Sequence, residues 1–110
     1  MSNDPLIYVQ EKFELAVYSL VRFQPLKDRL ENAQMHFYPV KQGDFKNEPE
    51  LGEAYGKIIA RLTAKEERTP GEGTVRSTID QMSDLEAQEV ADQIVGFTFD
   101  VIRRLAEKGT

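Results

Sequence analysis

Along residues 83–108, apolar positions recur at alternating spacings of three and four: Ala87, Ala91, Ile94, Thr98, Val101 and Leu105. That is the period of one face of an α-helix. A second stripe of Val95, Phe99, Ile102 and Ala106 lies beside it, and Val90 and Phe97 widen the face. Residues 94–102 are therefore apolar on nearly every side, and such a helix needs neighbours on more than one flank. The pattern predicts a C-terminal helix at the centre of the fold, wrapped by the others. Its ends are marked as well. Ser83 followed by Glu86 is a capping box. Asp84, Glu86, Glu89 and Asp92 suit the positive end of the helix dipole, and Arg103, Arg104 and Lys108 suit the negative end. Gly109 stands where a C′ residue is expected. Gly96 breaks the pattern, because glycine inside a helix costs about 1 kcal/mol relative to alanine. Its expected use is close approach by another helix, or by the ring of Phe13, Phe23 or Phe37.

The same period organises the rest of the chain. Asp4 before Pro5 starts a first helix, with Leu6, Val9, Phe13, Ala16, Val17, Leu20 and Val21 as its stripe and Tyr8, Leu15 and Tyr18 as a partial second one. Pro25 disfavours helical geometry at Gln24, which predicts an end near Phe23. A second helix follows at once, with Leu26, Leu30, Ala33 and Phe37 as its seam, meeting the first at a sharp angle. Beyond Tyr38 and Pro39 comes a polar loop in which Phe45 pins the chain to the core. A third helix is predicted from an Asn47 cap, with Pro49 in its first turn, Glu50 completing a second capping box, and Leu51, Tyr55, Ile58 and Leu62 facing inward. Residues 66–73, EERTPGEG, read as the least structured loop. Thr74 is the expected cap of a short helix that buries Val75, Ile79 and Met82. The fold class is thus all-α: a small four- to five-helix bundle in a single domain, residues 1–110. Helices are expected at about 5–23, 26–37, 48–65, 75–82 and 84–108, with loops at about 39–47 and 66–74.

Composition narrows the classes of function. A chain of 110 residues is long enough for a real core without staples. It has no cysteine, which rules out disulfides and thiolate zinc sites and fits a reducing, cytoplasmic setting. No leader is expected from the first residues, and no segment approaches the about 20 apolar residues of a membrane span. The net charge of −5 argues against general nucleic-acid binding, which needs clustered lysine and arginine.

His36 is the single histidine, so two-histidine zinc motifs and repeated Glu-x-x-His di-iron motifs are excluded. It is expected as a partly buried residue at a helix end. Gly71-Glu72-Gly73-Thr74 lacks the lysine and the preceding strand of a phosphate loop, and Glu72 would repel phosphate. No catalytic residue, cofactor or metal is assigned.

Two charge patterns stand out. Between Ser77 and Ile102 lie six carboxylates and no basic residue. Of these, Asp80, Asp84, Glu86, Glu89 and Asp92 form a candidate acidic surface for steering a basic protein partner. Lys57, Arg61 and Lys65 form a candidate basic strip on the third helix. The first and last helices also carry more apolar residues than one stripe needs, and a two-fold homodimer is the expected way to cover such a surplus. The function expected is a non-enzymatic interaction module that binds a protein partner or itself, with no nucleic acid or membrane involved. A purely structural homodimer is one alternative. Another is a ligand pocket between helices near Tyr18, His36, Tyr38 and Tyr55, with Arg22 or Arg29 close by.

Overall fold

The computed structural model describes residues 4–109. Five helices follow in order: α1 (Pro5–Leu20), α2 (Leu26–Phe37), α3 (Pro49–Leu62), α4 (Thr74–Gln81) and α5 (Asp84–Glu107). A 3-10 turn, Gln42–Phe45, interrupts the loop before α3. Among the described residues there is no strand. The all-α bundle read from periodicity is the fold observed.

Most of the core comes from the stripes that the periods pick out, but Val21 is 74% exposed and Leu26, Leu51 and Val75 are only partly buried. Leu6, Val9, Phe13 and Ala16 of α1 are fully buried, as are Leu30, Ala33 and Phe37 of α2, Leu62 of α3, Ile79 of α4 and Ala87, Val90, Ile94 and Val101 of α5. Phe13 stacks on Phe37 with ring centroids 4.5 Å apart and meets Phe97 at 4.7 Å. Phe45 packs against Tyr55 at 5.0 Å, so the 3-10 turn is indeed pinned to the core. Aromatic pairs in such tilted and stacked arrangements add about 0.5–1.5 kcal/mol each beyond their buried area.

Several local expectations are corrected. Helix α1 ends at Leu20, not near Phe23, and Phe23 is fully exposed in the turn. The reason is Arg29, whose guanidinium donates to the Leu20 carbonyl at 2.7 Å and to the Gln24 carbonyl at 2.8 Å. It thereby satisfies the Leu20 carbonyl, which the helix C-terminus leaves open, and ties down the turn at Gln24. Helices α1 and α2 lie side by side instead of meeting at a sharp angle, since Phe37 at the far end of α2 reaches back to Phe13. The N-cap of α3 is Glu48, not Asn47, and its carboxylate makes no capping bond. The N-cap of α4 is Gly73, not Thr74; its φ of 86° belongs to glycine, and Thr74 is the first helical residue.

The position of α5 is part hub, part surface. It packs on α1, α2 and α3, but its second stripe is not wrapped. Phe99 is 59% exposed and Gly96 lies open, with nothing within 4 Å of where a Cβ would sit. The close approach expected at Gly96 occurs at Gly52 instead. There an added Cβ would lie 3.0 Å from Gln42 Nε2 and 3.0 Å from Phe45 Cβ.

Candidate interaction surface

Helices α3 and α5 run antiparallel, as their charge contacts show. The start of α5 faces the end of α3: Arg61 donates to Glu89 at 3.0 Å and to Gln93 at 2.9 Å. The start of α3 faces the end of α5: Arg104 Nε donates to Glu48 at 2.6 Å, and Lys108 Nζ donates to the same carboxylate at 3.1 Å. The two charge anomalies of the sequence, the acidic run and the basic strip, are therefore neighbours in space.

That proximity changes what the acidic run can do. Asp80 is held by Arg68 at 3.1 Å and Glu89 by Arg61. Glu86 closes the capping box with Ser83, accepting from the Ser83 amide at 3.1 Å. That hydrogen bond lowers its pKa, and the charges of Arg61 and Lys65 add to the effect. Asp92 accepts from Gln88 at 3.0 Å, and Asp84 is exposed at the first position of α5. On the basic side, Lys57 pairs with Glu53 at 3.7 Å, and Lys65 is exposed beyond the end of α3. Exposed pairs of this kind contribute about 0–1 kcal/mol to stability. Within the chain, Asp80 and Glu89 thus each have a cation beside them.

Among the described residues, the best-buried ionic group is one that the local pattern does not single out. Glu48 is only 8% exposed and accepts from both Arg104 and Lys108; Lys108 also pairs with Asp4, the N-cap of α1. Three helix ends meet in this clamp, two N-termini and one C-terminus, so each charge also lies at the favourable pole of its helix. The hydrogen bond from Arg104 holds the Glu48 carboxyl below its ordinary range against the cost of burial. That from Lys108 does the same for Asp4, while the lysine itself is raised. Only the i, i+4 spacing of Arg104 and Lys108 hinted at a shared target. The adjoining cleft, about 570 Å³, is lined by Glu48, Glu50, Asp100 and Glu107 together with Arg103 and Arg104, so it offers no single sign of charge to a ligand. Among the described residues, no group of three or more histidine, aspartate or glutamate side chains is placed to hold a metal ion.

The structure does not gather Tyr18, His36, Tyr38 and Tyr55 into one pocket. Tyr55 lies in the core and donates its hydroxyl to the Val40 carbonyl at 2.6 Å; burial, with the charge of Asp44, pushes its pKa up to about 12. Tyr18 lines a groove between α1 and α5, while His36 lines a separate depression with Arg22 and Met35. Tyr38 is exposed. His36 is also exposed, contrary to the partly buried place expected for it.

An apolar patch also stands in the open. Tyr18 is 66% exposed on α1, and across a groove of about 200 Å³ it faces Val95, Phe99 and Ile102 of α5, with Glu14, Val17 and Thr98 completing the lining. Both rings belong to the second stripes of their helices, and they stand beside one another because α1 and α5 pack side by side. No family model, curated protein or solved structure matches this chain. No described helix is long and apolar enough to cross a membrane.

Proposed function

We propose that this chain is a non-enzymatic protein-interaction module that docks another protein, a second copy of itself included, through the face formed by α1 and α5. One observation carries the reading: Tyr18 and Phe99 stand exposed around an apolar groove. Large aromatic side chains of this kind anchor protein interfaces when a partner desolvates them. The reading moves the contact from the acidic beginning of α5 to its apolar middle, because Asp80 and Glu89 already have cationic partners within the chain. Asp92 and Glu14 then supply part of a polar rim. A chain with net charge −5 is poorly matched to polyphosphate, which supports a protein as the partner class.

The test is photo-crosslinking in cells that make the protein. A photoreactive residue replaces Phe99 in one variant and Thr63, an exposed polar position, in another. A discrete crosslinked product from position 99 and none from position 63 is expected. Its mass separates a second copy from a different protein. If position 99 yields nothing beyond the control, the face is not a docking site and the reading fails.

A further inference from the structure

We infer that the occupant of this face is a second copy of the chain, with the two α5 helices crossing antiparallel about a two-fold axis level with Phe97 and Thr98. The inference rests on the interaction-module reading above and names its partner.

The argument begins with the outer surface of α5. Opposite its buried stripe, Leu85, Asp92, Gly96, Phe99 and Arg103 share one side of the helix at spacings of three, four and seven. Leu85 and Phe99 are exposed apolar side chains on this side. Gly96 presents bare backbone, with open space where a Cβ would be. A protruding ring and a gap thus sit one turn apart. A surface that carries both a knob and a hole can match itself, as an isologous interface requires. An axis between Phe97 and Thr98 lays Phe99 of each copy over Gly96 of the other. The helical penalty of Gly96, unexplained within the monomer, then has a use.

Charge selects the same orientation. The axis that pairs Phe99 with Gly96 sets Asp92 opposite Arg103 of the second copy. Within one chain these residues lie about 16 Å apart along the helix, and Arg103 instead contacts Asp100 at 2.9 Å. More broadly, the first half of the outer surface carries Asp84 and Asp92, and the basic residues of α5 fall at its end, where Arg103 stands beside Asp100. Antiparallel crossing joins unlike ends, whereas parallel crossing stacks carboxylate on carboxylate. Tyr18 of α1 stands beside Phe99 and widens the contact.

Sedimentation velocity over a wide concentration range tests the proposal, with circular dichroism to confirm that each variant folds. Wild type is expected to pass from monomer to dimer as concentration rises. Phe99→Ala and Gly96→Leu, one removing the knob and the other filling the hole, are each expected to weaken association at least about tenfold. Asp92→Arg and Arg103→Asp are each expected to weaken it, and the double exchange D92R/R103D to recover most of the loss. A wild type that is monomeric throughout overturns the inference. So does a dimer indifferent to both Phe99 and Gly96, or a double exchange no better than either single change. A monomer whose position 99 crosslinks to a different protein would overturn this inference and leave the interaction-module reading standing.

Discussion

Two glycines, both inside helices, show how one residue type carries opposite consequences. Gly96 bears the conformational cost of a helical glycine with no neighbour to justify it in the monomer. Gly96→Ala is therefore expected to stabilise the isolated chain by about 1 kcal/mol, measured by urea unfolding at concentrations low enough to keep it monomeric. Gly52 is buried beneath the 3-10 turn, and a methyl group there would press on Phe45 Cβ at 3.0 Å. Gly52→Ala is expected to destabilise by about 1–3 kcal/mol, the usual cost of forcing extra atoms into a packed site. If the two substitutions shifted the urea midpoint in the same direction, this account of the glycines would be wrong. Sequence periodicity identifies a glycine that breaks a stripe. It does not say whether the gap faces a neighbour or water, because that depends on how far round α5 the other helices reach.

At the scale of elements, the helices were legible because their apolar positions recur at helical spacing, and two of them, α1 and α5, also have a recognisable start. Asp4-Pro5 and the Ser83/Glu86 box were read correctly, and both make the bonds expected: Asp4 accepts from the Leu6 amide at 3.0 Å and Ser83 from the Glu86 amide at 3.1 Å. The ends that misled are those settled by groups distant in sequence. Arg29 closes α1 from the next helix, and Glu48 turns away from its own helix end toward Arg104. Nothing in the local pattern distinguishes a cap that bonds its own helix from one recruited elsewhere. The loop 66–73 also proved more tied than its composition implied. Glu72 pairs with Arg68, which draws its pKa down to about 2, and Glu67 accepts from the Gly73 amide at 2.9 Å. The role of Arg29 has a direct check. Arg29→Ala leaves the Leu20 carbonyl without its guanidinium partner, and the loss expected is about 1.5–3 kcal/mol, as for hydrogen bonds to charged groups. Hydrogen exchange in the last turn of α1 should quicken more than in α3. Uniform acceleration across the chain would mean that Arg29 does not act on that helix end in particular.

For the whole molecule, the clamp of Glu48, Arg104, Lys108 and Asp4 links the first helix, the third and the last, and it makes stability depend on pH in a definable way. Glu48 and Asp4 both have folded-state pKa values below their ordinary 4.5 and 3.8. A carboxyl depressed by folding contributes stability that is fully present above its unfolded value and is lost as pH falls through the folded one. Stability should therefore hold from neutral pH down to about pH 5 and decline below it, Glu48 giving way first at the unfolded end of the window. Lys108 has the opposite sense: its raised value contributes below 10.5 and is lost only in stronger alkali. Glu48→Gln preserves the shape of the side chain and removes its charge. At neutral pH it is expected to cost about 1.5–3 kcal/mol, the range for hydrogen bonds between charged groups. The decisive measurement is the gap between wild type and variant in urea titrations taken down through the carboxylate range. That gap should narrow as Glu48 protonates and should nearly close once it is neutral in both folded and unfolded chains. A constant gap at every pH would mean that packing, not charge, is what the Glu48 side chain contributes where the three helix ends meet.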